Sequence, residues 1–269
     1  MISQFYDTHA HLDFKDFDAD ISEVVERATA AGISRIITIG TTLEKSARAI
    51  EIAARFPSVY AAVGVHPGHV DESPEEIREA LLHLASHPKV VAIGEIGLDF
   101  FRRPSDSVPD PELEAINRRR QHSLFRQQLE VASVAGLNVI IHTRDSFNPT
   151  MDVFRSYAYR VRGVFHCWVG SVEEMREVTA LGSLVSFTGI ATFKNGENVR
   201  ASIAAAAAGS FMLETDCPFL APMPHRGKRC EPAYIAGMAP MMAAVRSETV
   251  EALSLDTCRT ARLFFPRLE

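Results

Sequence analysis

The stretch ISEVVERATAAGISRIITIG, residues 21–40, holds the pattern from which the fold can be read. Ile21, Val24, Val25 and Ala28 recur at i, i+3, i+4 and i+7, the apolar stripe of an amphipathic helix, and the pattern stops at Gly32. The next residues, ISRIITIG, make a short, nearly unbroken apolar run, as expected of a strand buried on both faces. A helix feeding a buried strand is half of a parallel βαβ unit, so the question is how often it repeats.

It repeats along the whole chain. A strand at FYDTHAHLD precedes the first helix; after residue 40 the patterns predict a helix over about 42–55, strand VYAAVGV, a helix over about 74–86 and strand VVAIGEIGL. Further on come a helix over about 117–135, strand LNVIIH, a helix near 149–158, strand GVFHCWV, a helix at about 172–181 and strand SLVSFTGI. Helix NVRASIAAAAA, strand FMLETD and two helical stretches over about 232–265 finish the chain. Eight β-then-α units of roughly 34 residues each predict an α/β fold, a (β/α)8 TIM barrel. No linker interrupts it, so residues 1–269 are expected to form one domain. One long polar connection, FFRRPSDSVPDPELEAI, comes after the fourth strand and reads as a surface loop.

With 46% apolar and 23% charged residues the chain is an ordinary globular protein, and its net charge of -6 disfavours a wide basic face for gripping duplex DNA. Phosphate contacts confined to a cleft stay open. Cys167, Cys217, Cys230 and Cys258 are widely spaced with no Cys-x-x-Cys, which favours a reducing cytoplasm. No secretory leader and no apolar run of membrane-spanning length is read, so a cytoplasmic protein without membrane insertion is expected.

Barrel active sites lie at the C-terminal ends of the strands. There the sequence puts His9 and His11, His66, Glu95, His142, His166 and Asp216. In a strand, residues two apart share a face, so His9 and His11 could pinch one ion, although an isolated His-x-His is equally consistent with a surface loop. Seven ionisable groups at one mouth are costly to bury unless paired or bound to metal. Four histidines with two carboxylates exceed what one catalytic ion takes, and they suit two ions bridged by a shared carboxylate. A metal pair also suits a phosphodiester, whose negative charge repels hydroxide.

The segments DTHAHLDF, VGVHP, IGEIGLDF, VIIHTRD, FHCWVGS, TGIATFKN, LETDCPFLAP and RGKRCEPAYI resemble, in order and across nearly the whole chain, the successive motifs of the TatD family of metal-dependent deoxyribonucleases. The resemblance implies a metal-dependent hydrolase barrel of the amidohydrolase type with a two-metal site, acting on DNA. Carried over by motif, His9, His11 and Asp216 would hold one ion and His142 and His166 the other, with Glu95 bridging and Asp216 orienting or deprotonating the attacking water. Two positions depart from the family pattern: Cys230 stands where relatives usually have asparagine, and Arg259 where an asparagine commonly precedes the last Arg-Leu-Phe. Neither is a proposed ligand; they bear on loop packing or substrate preference.

Around these residues several roles are open. Asp7 and Glu214, one layer beneath His9 and Asp216, would fix ligand orientation or form structural pairs within the barrel. Asp99 fits a substrate or water contact, or a helix cap; Arg144 a phosphate contact, or a surface ion pair; His66 a hydrogen bond to a substrate oxygen, or a packed histidine. Arg226, Lys228 and Arg229 could guide a nucleic-acid backbone or simply be solvated, and Arg118, Arg119 and Arg120 read as a solvent face. Trp168, Phe100 and Phe101 could stack on unpaired bases, or pack. Cys167 and Cys217 are expected to turn away from the metal side. The expected protein is a DNA phosphodiesterase acting on single strands or their ends, with two divalent ions (Zn, Mg or Mn), as a monomer or weak oligomer. An amide, lactone or aminoacyl ester as substrate is the rival reading, and an interaction scaffold is disfavoured because all six ligands are present.

Overall fold

The computed structural model describes residues 3–101 and 110–268; the Pro-, Asp- and Ser-rich part of the connection after the fourth strand, 102–109, lies outside the described residues. Strands β1 (Phe5–Ala10), β2 (Ile33–Ile39), β3 (Val59–Val63), β4 (Val90–Asp99), β5 (Asn138–Arg144), β6 (Gly163–Phe165), β7 (Leu184–Phe187) and β8 (Phe211–Leu213) form one sheet. They pair in chain order, every pair parallel. Helices α1 (Ile21–Ala30), α2 (Leu43–Arg55), α3 (Arg78–Ala85), α4 (Pro111–Ala135), α5 (Phe147–Phe154), α6 (Val172–Ala180) and α7 (Glu197–Ala205) connect successive strands, and α8 (Ile235–Val245) and α9 (Val250–Phe264) come after the last. This is the predicted (β/α)8 barrel. Among the described residues no helix is long and apolar enough to cross a membrane.

Local chemistry sets the helix starts. Thr42 caps α2 by accepting the Lys45 N–H, and Ser171 with Glu174 forms a reciprocal capping box on α6. Asp110 caps α4 through the Glu112 and Leu113 N–H groups, with Pro111 in the first turn, so α4 begins six residues before the apolar periodicity does. Between β3 and α3 the chain instead makes a tight 3-10 turn, Pro67–Glu72. Arg120 pins that turn by donating to the Val70 and Ser73 carbonyls, which corrects its reading as a solvent-facing residue.

The barrel interior is layered. Ile37, Tyr60, Val91, Ile140, Val164, Leu184 and Met212 form one buried cluster with Phe264, Phe265 and Leu268. Arg267 donates to carbonyls of Ala85 and Val90, so the C-terminal segment seals the end where the strands begin. Two residues further along the same strand faces the interior turns polar: Ile140 gives way to His142, Val164 to His166, Leu184 to Ser186, and Met212 to Glu214 and Asp216.

β8 returns to β1 at this polar end. Asp216 N–H donates to the His9 carbonyl at 2.9 Å and His11 N–H to the Cys217 carbonyl at 2.8 Å. Asp7, fully buried, accepts the Thr215 hydroxyl at 2.6 Å, the Thr215 N–H at 3.0 Å and the His9 N–H at 3.3 Å. Burial pushes its pKa up to about 8 although these hydrogen bonds pull the other way. Asp7 therefore acts on the backbone that carries His9 and Asp216 by tying β1 to β8.

Gly97 marks a second tight place: φ is 133°, and a Cβ there would meet the His142 carbonyl oxygen at 2.1 Å. Gly97→Ala is expected to lower the unfolding free energy by about 2–6 kcal/mol, the sum of backbone strain and overpacking of about 1–3 each; a variant as stable as wild type in urea titration contradicts this. On the rim, Arg229 makes a two-pronged ion pair with Asp20 at 2.7 Å. That pair holds the Asp20 pKa at about 2, below its ordinary 3.8, so its stabilisation is present above about pH 4 and lost as pH falls through 2. The stability difference between wild type and Asp20→Asn, small because the pair is solvent-screened, should vanish in that window and shrink in high salt; a difference that persists below pH 2 goes against it.

Candidate metal centre

Glu95 sits at the centre of the polar layer, 3% exposed on a strand whose ten residues are all buried. Its two oxygens face different sets of nitrogens. Oε2 lies 3.5 Å from His9 Nε2 and 3.8 Å from His11 Nε2, and these in turn lie 3.6 and 3.3 Å from Asp216 Oδ1 and 3.3 Å from each other. Four donors held about 2.1 Å from one ion in a tetrahedron stand about 3.4 Å apart, so this nest has the dimensions of a cation site. Oε1 lies 2.8 Å from His142 Nδ1 and 2.7 Å from His166 Nε2, which are 3.1 Å apart, with His66 Nε2 at 3.4 Å. The donor chemistry also fits a cation: two imidazole nitrogens facing each other between carboxylate oxygens satisfy one another poorly by hydrogen bonding alone, and one positive ion satisfies them all.

The electrostatics arise from this crowding. Burial works to raise the Glu95 pKa, but His166, His66 and His142 outweigh it and hold the carboxylate well below its usual range. Asp216 is likewise held low against its burial, chiefly by His11. Burial opposes the charged form of these histidines, yet the carboxylates raise His11, His142 and, most strongly, His166; for His9 burial wins, helped by repulsion from His166 stacked 4.1 Å away.

Behind the donors stand carboxylates and hydroxyls. Asp99, 1% exposed, holds Oδ2 3.4 Å from His142 Nε2 while its Oδ1 accepts the Phe101 N–H. Its Oδ2 therefore faces the back of His142. Glu214 Oε1 lies 3.6 Å from His166 Nδ1 and accepts the Cys167 N–H, and its Oε2 accepts the Ser186 hydroxyl at 2.6 Å. Glu214 also clusters with His9 and His166, but with both oxygens already accepting short hydrogen bonds it is better suited to orienting a ligand than to being one. The chain leaves three strands through left-handed residues near the site, Asp145, Cys167 and Asp216, with φ of 53°, 49° and 58°. Such strain clusters where side chains must be aimed.

The structure brings His9, His11, His66, Glu95, His142, His166 and Asp216 together, as the strand-end pattern predicts. Arg144 is at the rim, exposed, with its guanidinium 3.7 Å over the Phe101 ring. Several other residues have structural partners. Trp168 is 4% exposed and packs on Phe147 and Phe165. Arg229 is committed to Asp20, and Arg226 lies over Phe193. Cys217 and Cys230 are buried and all four cysteines are free; burial pushes the Cys167 and Cys217 thiols far above their usual range, which argues against a thiolate nucleophile. Arg259 is exposed on α9. Ser186 and Thr215 escaped the sequence reading. Ser186 was findable as the residue two beyond inward Leu184, whereas the Thr215 contact with Asp7 exists only in the closed barrel.

Comparison with known proteins agrees with this geometry. The profile of the family described as TatD related DNase matches residues 6–266. The metal-dependent hydrolase YabD of Bacillus subtilis is 35% identical over 97% of this chain and 98% of its own. The 3'-5' ssDNA/RNA exonuclease TatD of Klebsiella pneumoniae is 32% identical over 97% of both chains. In structure, the TatD homologue YJJV of Escherichia coli superposes with a TM-score of 0.89 at 30% identity, covering 99% of each chain. With its fold, its nest of histidines and carboxylates and these relatives in agreement, the chain belongs to the TatD family of metal-dependent hydrolases.

Proposed function

We propose that the chain is a two-metal nuclease that hydrolyses DNA phosphodiester bonds in single strands or at strand ends, working as one domain and as a monomer or weak oligomer. The observation that carries this reading is the division of Glu95: each of its oxygens meets a separate group of imidazole nitrogens. His9, His11, Asp216 and Glu95 would hold one divalent cation and His142, His166 and Glu95 the other, with Glu95 as the bridge. Nitrogen and oxygen donors together suit zinc, manganese or magnesium. When bound, such a pair brings a water's pKa from 15.7 towards about 7 and stabilises attacking and leaving oxygens.

The chain's own residues do the rest. Asp216 keeps 15% of its side chain exposed at the mouth, where its carboxylate would orient the attacking water and accept its proton. The His66 Nδ1 accepts the Gly68 N–H at 2.9 Å, which leaves the proton on Nε2, the atom aimed into the site 3.4 Å from Glu95 Oε1. That N–H would donate to a substrate oxygen. The exposed fork of Arg144 would take a phosphate, and Asp99 is proposed to position His142. The exonuclease relative supports nucleic acid with unpaired ends as the substrate, and family membership disfavours the ester or amide alternative.

Three outcomes are expected. Chelator-stripped protein should lose cleavage of an end-labelled single-stranded oligonucleotide and regain it with manganese, magnesium or zinc; inactivity with every metal, from folded protein, rejects the nuclease. Glu95→Ala should fold by circular dichroism yet bind less than the wild-type metal load and show no cleavage above background; full activity in it removes the bridge from the mechanism. Glu214→Gln should cost about 10- to 100-fold in metal affinity or activity through His166, and an unchanged variant shows that Glu214 serves only packing.

A further inference from the structure

The rim of the site next to His11 carries an exposed aromatic ring that the chemistry above does not use. Phe219 is 49% exposed, although an isolated phenyl gains by burial. Its position is fixed. The Phe219 N–H donates to the Asp216 carbonyl at 3.0 Å, Pro218 precedes it with its carbonyl accepting the Cys230 N–H at 2.9 Å, and Leu220 comes next with φ of 56°. The ring is thus carried by the same turn that presents Asp216. Two rings brace it nearly at right angles: Phe14 at 5.6 Å and 82°, and His11 at 6.3 Å and 68°. Phe14 itself stacks on His11 at 5.0 Å, with the Lys45 ammonium 4.7 Å above it.

We propose that Phe219, braced by Phe14, is a base-stacking platform for an unpaired nucleobase next to the scissile phosphate. The proposal rests on the nuclease reading and deepens it by naming what selects the strand. A stacking ring is indifferent to base identity because every base has a π-face, but it is accessible only to a base not already stacked and paired in a duplex. A side chain held rigid in advance loses little conformational entropy on binding. Charge complements the pair of rings: Lys45 lies over Phe14, and Arg144 stands at the β5 end, across the barrel from the β8–β1 junction that carries Phe219. A strand running from Phe219 towards Arg144 would cross the donor nest with a base anchored at one rim and a phosphate at the other.

The test uses single-stranded oligonucleotides with 2-aminopurine at successive positions near the 3' end, added to metal-stripped protein so that binding is read without turnover. One position should be quenched by wild type, not by Phe219→Ala or Phe219→Leu, and again by Phe219→Trp. With metal restored, Phe219→Ala should lose roughly 5- to 150-fold in kcat/KM, mostly through KM, and should lose nothing on a substrate made abasic at the quenched position. Undiminished quenching in folded Phe219→Ala, or the same loss on normal and abasic substrates, overturns the platform. Quenching that depends on Phe219 without cleavage under any metal sinks the nuclease reading and keeps the base site; cleavage indifferent to Phe219 does the reverse.

Discussion

A carboxylate buried in the middle of a barrel sets the terms for everything around it. An isolated ionised Glu95 in that position would cost far more than the fold can spare, so its burial requires positive or hydrogen-bonding partners on both oxygens. The structure supplies them from four strands or strand ends: His9 from β1, His66 after β3, His142 from β5 and His166 after β6. None of these contacts is local in sequence. The parallel barrel is what makes them possible, because it aims the C-terminal ends of all its strands at one axis.

That arrangement divides the molecule into an end that stabilises and an end that reacts. Below, Phe264, Phe265 and the apolar inward residues fill the barrel and Arg267 ties down its seal. Above, the same strand faces turn to histidine, glutamate, aspartate and serine. Around the donors stand the positioning groups: Asp99 behind His142, Glu214 behind His166, and Asp7 holding together the two strands that bear His9 and Asp216. Donors that repel or desolvate one another cannot by themselves hold their mutual distances, so this layer has to supply the rigidity.

Charge on the surface is used sparingly as well. The chain carries a net charge of -6, and its basic run around residues 226–229 is partly committed to structure through the Arg229–Asp20 and Arg229–Glu231 pairs. Among the described residues near the mouth, Lys45 lies over Phe14 and Arg144 over Phe101. Cations placed singly beside flat rings suit a flexible strand with bases exposed better than they suit the regular phosphate array of a duplex.

Periodicity in residues 21–40 and its repetition were enough to read the barrel, and the knowledge that barrel chemistry lies at strand ends was enough to collect the seven groups of the site. Both depend only on spacing along the chain: helix and strand periods are local, and the end of a parallel strand is a place that topology assigns. The direction of each side chain at that place is not local. Register shifts in β1 and β4 break the simple alternation just where His9 and Glu95 stand, so the split of Glu95 between two nests could not be counted off from the sequence. Asp99 could be read as a contact at the mouth or as a helix cap, and only packing shows its Oδ2 facing His142. The partner of Asp7, 208 residues away, and the meeting of Phe14 with Phe219 across the β1–β8 seam exist only once the barrel closes, because closure alone brings the two ends of the chain within contact distance.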